Sequence, residues 1–379
     1  MKRANIFLIV ILFAITIESI GQRQAVNNDL ITVDVRKTYS QKKELIIQDF
    51  MDVEYVALET KDGFFNQGIV QDVGKEFILV TNITRDGVIF VYDRAGKALS
   101  TIKHQGQGPE EYVRIFNIAL DEDNGEIFVN DIYGDKIVVY DLFGKFKRNF
   151  KHKQGGGSVS YTEVFNYDKR NLICYDQQNK EIAFVLVSKQ DGSITKEVKV
   201  PFKEKKLLMQ VVGDGYSSPG FYPSIYPYKG KWILSEISSD TVYSFLPDKS
   251  LQPFIVRTPS VQSMNPEVML ILRFISERYY FMEAIKNEYK FPRTYFMYDK
   301  QEKVFFSYVV YNGDYSSKEL LSMSLFKPVN HEMLWRTLEA HELVVYYKNG
   351  KLKDGKLKEI ASKLDEEDNP VIMLIKHKK

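Results

Sequence analysis

Cysteine is almost missing from this chain, because Cys174 is the only one in 379 residues. No disulfide can form within the chain, so its stability must come from the burial of apolar side chains. Hydrophobic residues make up 44% of the sequence, which is enough for a large core. Cys174 stands in an apolar run over residues 172–175. That setting is typical of a buried, unreactive thiol rather than a nucleophile.

An excess of charge of one sign is also missing, and histidine is scarce. The chain has 52 lysines and arginines against 50 aspartates and glutamates, so it lacks the basic excess of a dedicated nucleic-acid binder. Only 5 histidines are present, and His341 lacks the second histidine four positions on that a zinc-protease helix requires. No Gly-x-Ser-x-Gly nucleophile elbow occurs. We therefore assign no catalytic residue, no metal ligand and no cofactor from the sequence.

No apolar run reaches the roughly 20 residues that span a membrane as a helix. At the N-terminus, Lys2 and Arg3 precede a short apolar run over residues 6–17, and small residues follow at Ser19 and Gly21. This order is typical of a cleaved secretory signal peptide. We expect export to the periplasm or the cell exterior, with no membrane span after processing; the alternative is an uncleaved N-terminal anchor. The predicted division is a signal peptide over residues 1–21 and one domain over residues 22–379.

Aromatic residues are abundant, and they belong to a repeated hairpin. The chain has 24 tyrosines and 25 phenylalanines, which favour strands. Residues 88–97 and 136–145 both run through β-branched and aromatic positions and close with Asp-x-x-Gly-Lys. The aspartate can hydrogen-bond the turn backbone, and the glycine supplies a positive φ. Weaker copies stand at residues 183–192, 241–249 and 295–300.

The second copy shows the complete repeating unit. Strands are predicted at residues 116–120, 126–130, 137–140 and 146–150, with no helix between them. They must pair as an antiparallel meander, and such a sheet can bury both faces only by stacking against others. Lone strands at residues 30–35 and 371–375 should therefore share the last blade of a closed ring. Helices are predicted over residues 267–274 and, from the periodic positions of the C-terminal part, over residues 357–364.

One blade carries a recognisable motif before its first strand. The motif reads Gly106-Gln107-Gly108-Pro109-Glu110-Glu111-Tyr112. Together with residues 118–121, 127–131 and 137–144, it resembles an NHL-type propeller repeat, in which a Gly-x-Gly-Pro-Gly-x-Phe loop precedes each blade. Glu110 and Tyr112 depart from that pattern, and the likeness covers residues 104–148.

The whole chain resembles the secreted bacterial six-bladed propeller families of unassigned function. This resemblance implies an all-β fold, a single β-propeller of about six four-stranded antiparallel blades. A short C-terminal helix and a closing strand would complete it. The resemblance also implies export, but it implies no activity.

We predict that the chain is a binding protein rather than an enzyme. It would recognise its ligand on the face that carries the inter-blade loops. Long, polar loops on a rigid scaffold are where binding groups concentrate. The residues predicted to line the binding mouth are Arg85, Gln107, Arg114, Asp131 and Tyr133. Two structural alternatives remain open: Asp131 would hold the blade turn, and Arg114 would pair with Glu111.

The predicted ligand is a glycan, a peptide or an envelope protein, bound by a monomer. A tyrosine-rich stretch over residues 216–228, predicted to be a loop, would either stack on sugar rings or tuck against the blades. The alternative function is a hydrolase or lyase with a metal in the central channel, and a third is a structural scaffold. Four or more converging polar ligands in the channel would favour the enzyme, whereas an apolar plug would favour the scaffold.

Overall fold

The computed structural model describes residues 30–84, 86–152, 161–212, 216–330 and 332–378. The predicted signal peptide and Arg85 lie outside these residues. Within them the chain forms six blades, each built on four antiparallel strands, and two of the blades have further strands at the outer edge. The prediction of a six-bladed, all-β propeller is confirmed.

Three N-terminal strands precede the first complete blade. They are β1 (Ile31–Asp34), β2 (Lys42–Ile46) and β3 (Met51–Ala57), with the helical turn α1 (Ile47–Phe50) before β3. Blade one consists of β4 (Ile69–Val73), β5 (Phe77–Thr81), β6 (Val88–Asp93) and β7 (Ala98–Lys103). Blade two consists of β8 (Asn117–Asp121), β9 (Glu126–Asp131), β10 (Lys136–Asp141) and β11 (Phe146–Lys151). Blade three consists of β12 (Tyr161–Asn166), β13 (Asn171–Asp176), β14 (Phe184–Ser188) and β15 (Ile194–Val198).

The second half of the ring carries the additional elements. A hairpin of β16 (Met209–Val212) and β17 (Tyr216–Pro219) precedes blade four, which consists of β18 (Ile225–Tyr228), β19 (Lys231–Leu234), β20 (Thr241–Phe245) and β21 (Leu251–Thr258). After the 3-10 turn η1 (Val261–Ser263), blade five consists of β22 (Val268–Ile275), β23 (Tyr279–Lys286), β24 (Arg293–Asp299) and β25 (Val304–Asn312), with β26 (Glu319–Leu321) beside β25. The 3-10 turn η2 (Met323–Leu325) leads to β27 (Lys327–Val329) and β28 (Met333–Leu338) of blade six. Helices α2 (Ala340–Lys348) and α3 (Lys356–Ala361) then precede β29 (Val371–His377).

The two ends of the chain close the ring together, as predicted. The C-terminal β29 lies between β28 and β3, so the N-terminal part supplies the outer strand of blade six. The identity of that strand differs from the prediction, because the strand near residues 30–35 lies elsewhere. There β1 adds in parallel to β21 of blade four, and β2 adds in parallel to β25 of blade five. The N-terminal segment therefore covers the outer edges of blades four and five before it closes blade six.

Two local predictions were wrong. The helix predicted over residues 267–274 is the inner strand β22, in which all eight residues are buried. A continuous apolar run cannot be told from a buried helix by its periodicity alone. The tyrosine-rich stretch is not one loop, because β17 pairs with β16 and β18 is the inner strand of blade four. The predicted C-terminal helix is confirmed as α3, and α2 precedes it.

The hydrophobic core is divided into clusters between neighbouring blades. Successive side chains of a strand point to opposite faces of its sheet, so each blade contributes to the cluster before it and to the cluster after it. Six such clusters join the blades around the ring. Cys174 is fully buried in the cluster between blades two and three, and burial raises the pKa of its thiol well above the usual value.

The repeated Asp-x-x-Gly-Lys turn serves both the hairpin and the packing of the blades. The Oδ1 atom of Asp93 accepts hydrogen bonds from the backbone N–H groups of Ala95 and Lys97, each at 2.9 Å. Gly96 has a φ of 87°, which favours glycine. A Cβ added there would lie 2.1 Å from the carbonyl oxygen of Ala57 in the preceding blade. The glycine is therefore required by the turn and by the neighbouring blade.

Candidate functional site

A cavity of about 370 Å³ lies in the central channel. The inner strands of blades one, two, three, five and six line it, and residues 221–223 before blade four complete the wall. In a meander, the links between second and third strands and the links to the next blade leave the sheets at the end where the inner strands begin. We call this side the link face. The cavity reaches it at Ile69, Phe116 and Lys327, which stand at or next to the starts of their strands.

Three of the inner strands carry a β-bulge at the cavity. The residues left out of the strand pairing are Gln71 in β4, Thr162 in β12 and Arg273 in β22. All three line the cavity. A bulge places an extra residue in one strand and changes the direction of the side chains around it. The bulges therefore allow strands that are packed on both faces to present polar side chains to the channel.

The residue after two of these bulges is acidic and joins its blade to the next. Asp72 follows Gln71, and its carboxylate accepts hydrogen bonds from the backbone N–H of Leu120 at 2.8 Å and of Val73 at 2.9 Å. The backbone N–H and the side-chain amide of Asn330 also donate to it. Burial raises the pKa of Asp72 from 3.8 to about 7, against the effect of these four donors. The carboxylate thus connects blade one to blades two and six.

Glu163 occupies the corresponding position in blade three. Its carboxylate accepts hydrogen bonds from the backbone N–H groups of Ser224 at 2.7 Å and Ile225 at 3.1 Å. Burial raises the pKa of Glu163 to about 8. Both acidic residues in the cavity wall are therefore engaged by N–H groups of neighbouring blades rather than free to bind a ligand.

Asp72 should make the stability of the fold decrease as the pH rises. Between its unfolded pKa of 3.8 and its folded pKa of about 7, the folded chain keeps a proton that the unfolded chain has lost. The free energy of unfolding then falls with pH, by up to about 1.4 kcal/mol per pH unit for one group. We expect urea denaturation between the two pKa values to show that the free energy of unfolding falls with pH more steeply in the wild type than in Asp72→Asn. A difference between the two chains that is independent of pH would show that the four donors keep the carboxylate ionised.

Two cationic side chains also line the cavity. The Nε of Arg273 donates to Glu283 at 2.7 Å, and its guanidinium lies 5.3 Å from the centre of the Tyr222 ring. The ammonium of Lys327 lies 5.9 Å from the centre of the Trp335 ring. The Lys327 side chain is reached by solvent, yet the surrounding protein lowers its pKa by desolvation. Both cations thus stand beside aromatic rings in the channel.

Aromatic side chains form the rim on the link face. Phe116 and Phe221 meet edge to face, with their ring centres 5.2 Å apart. Phe221 is 58% exposed, whereas Tyr222, Tyr226 and Tyr228 of the same tyrosine-rich stretch are buried. The alternative that this stretch tucks against the blades therefore holds for these three tyrosines, and Phe221 alone of the four presents its ring to solvent.

The residues predicted to bind lie on the link face, but none of those described lines the cavity. Gln107 is exposed. The guanidinium of Arg114 lies 5.0 Å from the centre of the Tyr133 ring and donates to its hydroxyl at 3.1 Å. Arg114 thus contacts Tyr133 and not Glu111, whose carboxylate instead accepts from the N–H of Gly108 at 2.8 Å.

Asp131 holds a turn of blade two. It is fully buried, and its carboxylate accepts hydrogen bonds from the backbone N–H groups of Val113, Arg114 and Gly134 at 2.7, 3.2 and 3.0 Å. The structural alternative for this residue is therefore what the geometry shows. Whether Gln107, Arg114 and Tyr133 contact a ligand stays a prediction, and Arg85 lies outside the described residues.

The channel is neither an apolar plug nor a cluster of free ligands. Polar side chains converge in it, but the two carboxylates are held by backbone N–H groups. Among the residues that the structure describes, no group of three or more histidine, cysteine, aspartate or glutamate side chains is placed to hold a metal ion. In the same part of the chain, no helix is long and apolar enough to cross a membrane.

Comparison with known proteins places the chain among proteins of unassigned function. Residues 30–376 match the sequence model of a family described as "Domain of unknown function (DUF4934)". No curated protein matches the sequence.

The fold is similar to two solved structures from Bacteroides. One is a protein from Bacteroides fragilis NCTC 9343, provisionally described as exported, with a TM-score of 0.59 and 17% identity over 92% of this chain and 100% of that one. The other is a member of the DUF4221 family from Bacteroides vulgatus ATCC 8482, with a TM-score of 0.50 and 13% identity over 88% of this chain and 99% of that one. At these identities the similarity shows the fold alone, and the NHL-type repeat stays a prediction.

Proposed function

The chain belongs to the DUF4934 family of unknown function, and we propose that it is an exported propeller that binds a ligand at the link-face mouth of its central channel. The observation that supports binding is the cavity of about 370 Å³ with an aromatic rim. Ligand pockets are typically concave, mainly apolar, and equipped with a few directed polar groups. Here the bulged residues Gln71, Thr162 and Arg273 would supply those polar groups.

The distribution of exposed apolar side chains supports the same face. Large exposed apolar residues stand in links of this face in five blades or just before them: Phe65, Ile83, Tyr133, Phe221, Tyr289 and Leu325. The opposite turns between third and fourth strands expose Phe143 and Val304. Exposed apolar groups rimmed by polar residues mark interaction sites. The link face therefore has the composition that a ligand or partner would use.

Export is part of the proposal and rests on the N-terminal sequence. The charged start, the apolar run over residues 6–17 and the small residues that follow are typical of a cleaved signal peptide. The provisional description of the Bacteroides fragilis protein as exported agrees with it. The mature domain would then begin at Gln22 and meet glycans, peptides or proteins of the cell envelope.

Trp335 provides a direct test of where a ligand binds. The chain has two tryptophans: Trp335 lines the cavity, and Trp232 packs near Phe165 and Tyr167 at 5.9 Å from each ring. In a Trp232→Phe variant, emission reports on the cavity alone. We expect a ligand found by screening hexose disaccharides, hexuronate disaccharides and short peptides to change that emission.

The rim should matter for this binding. Phe221→Ala should weaken the affinity about tenfold, the loss typical of an aromatic anchor, without changing the melting temperature. The matched control is Phe143→Ala, which removes an 83% exposed ring from the opposite face and should leave affinity unchanged. Ligand binding that leaves Trp335 emission unchanged and survives Phe221→Ala would place the site elsewhere.

A further inference from the structure

The acidic side chains that line the cavity are bound by other groups of the protein, whereas the basic side chains keep unused hydrogen-bond donors. The carboxylates of Asp72 and Glu163 are bound by backbone N–H groups of neighbouring blades. The two cations, Arg273 and Lys327, keep hydrogen-bonding capacity that the protein does not use. The lining therefore offers a ligand free positive charge and no free negative charge.

Arg273 belongs to an arrangement with more positive than negative charge. Glu283 is the one carboxylate between two guanidinium groups, because its Oε2 accepts from the Nε of Arg273 and its Oε1 accepts from Arg293, each at 2.7 Å. Among the described residues, the Nη atoms of Arg273 donate to no side chain or carbonyl. Arg273 is the bulged residue of β22, and it lines the cavity. A guanidinium oriented through Nε by a buried carboxylate leaves its two Nη atoms for bidentate recognition of an anion.

Lys327 supplies a second positive charge from blade six, the neighbour of the blade that carries Arg273. It is the first residue of the inner strand β27, and within the described stretches its ammonium makes no hydrogen bond and no ion pair. The ammonium lies over the Trp335 ring. An ammonium that has lost part of its hydration without gaining a counter-ion is destabilised, and the lowered pKa of Lys327 has this cause. A bound anion would remove that penalty.

We propose that the ligand of this cavity is an organic anion, a carboxylate attached to a ring, that Arg273 and Lys327 bind by its charge while Phe116 and Phe221 contact its ring. The inference rests on the proposed function and specifies the chemical class of its ligand. Acidic sugars and aromatic acids share this chemistry. A cavity of about 370 Å³ has room for one such unit, so a longer glycan would insert one acidic residue.

The test compares acids with their neutral counterparts. The probes are a hexuronate disaccharide against the matching neutral hexose disaccharide, and benzoate against benzamide, measured by calorimetry and by Trp335 emission in the Trp232→Phe chain. We expect at least one acid to bind at least tenfold more tightly than its neutral partner, and the tighter acid identifies the body of the ligand. Lys327→Gln should reduce acid binding about tenfold and leave neutral binding unchanged.

Two further variants separate the charge from the fold. Arg273→Gln should also remove the preference for acids, and Arg273→Lys, which keeps a positive charge beside Glu283, should restore part of it. Lys103→Gln is the matched control, since it removes an exposed lysine of blade one outside the cavity lining. Equal melting temperatures for Lys327→Gln and the wild type would show that its loss of affinity is not a loss of folding.

The outcomes distinguish this inference from the function on which it rests. Neutral probes that bind as tightly as acids and change Trp335 emission would overturn the anion but keep the binding cavity. A different result would contradict both the anion inference and the proposed function: an acid binds without changing Trp335 emission, and Lys327→Gln binds it as tightly as the wild type. The binding site would then lie elsewhere. Absence of binding by all four probes at millimolar concentration would overturn the anion inference, and the short peptides of the wider screen would then decide the proposed function.

Discussion

A chain that ends at Pro370 should not form the native ring. The missing strand β29 lies in the centre of blade six, where it pairs with six residues of β28 and seven of β3. Its first five side chains, Val371 to Ile375, are each fully buried. Removing β29 leaves both neighbours as unpaired edges and detaches β3, the only strand by which the N-terminal part closes the ring within the described residues.

The expected loss is as large as the stability of a typical domain. Each large buried apolar side chain contributes about 1.5–3 kcal/mol, so five of them contribute roughly 8–15 kcal/mol. A typical domain is stable by about 5–15 kcal/mol. We therefore expect the truncated chain to show no cooperative thermal transition by circular dichroism.

The matched control is a chain that ends at His377, which keeps β29 and loses only the last two residues. It should melt with the wild type, because Lys378 is exposed and belongs to no strand. A chain ending at Pro370 that melts cooperatively near the wild-type temperature would show that β29 is not needed for closure.

Lys189→Met should destabilise the fold by about 3–5 kcal/mol, the usual cost of removing one partner of a buried ion pair. The Lys189 ammonium lies 2.5 Å from Oδ2 of Asp121, with side chains that are only 5% and 2% exposed. It also donates to Oδ1 of Asn166 and to the carbonyl of Asp168, both at 2.6 Å. Lys189 follows β14 of blade three, and Asp121 ends β8 of blade two. The substitution leaves a buried carboxylate without its counter-charge between two blades.

Urea denaturation of three variants would check this expectation. Lys169→Met replaces an exposed lysine in a turn of blade three and should change the free energy of unfolding by less than about 0.5 kcal/mol. Asp121→Asn combined with Lys189→Met should recover part of the loss, because no uncompensated charge then remains buried. A loss below about 1 kcal/mol in Lys189→Met alone would mean that water or a rearranged side chain replaces the ammonium.

The repeated hairpins were predictable because their determinants are local. Alternating β-branched and aromatic residues followed by Asp-x-x-Gly-Lys specify two strands and the turn between them, and the turn hydrogen bonds of Asp93 are made as expected. The buried state of Cys174 was predictable for the same reason, since its apolar neighbours leave no exposed face. The link face could also be reasoned from connectivity, because a meander sends its long links to one side.

The residues of the cavity could not be predicted in this way. Arg273 stands in an apolar run that had the appearance of a helix, and it reaches the channel through a bulge that depends on the register between β22 and β23. Gln71 and Thr162 face the channel through the same irregularity. Asp131 was predicted as a binding residue because the sequence around an acidic residue at a strand end does not show whether its carboxylate is exposed to solvent or bound by three backbone N–H groups.

The sequence by itself determined the blades, because strand propensity, alternation and turn chemistry act within about ten residues of chain. The tertiary structure alone decided which strand closes the ring. Strands near residue 31 and near residue 51 are both able to pair, and only the assembled ring offers β21 to one and β29 to the other. It also decided which side chains share the cavity, since β4, β12, β22 and β27 lie far apart in the chain and meet only where six blades surround one axis. Whether a charged side chain in the cavity has a partner therefore depends on contacts between distant strands and not on any local sequence pattern.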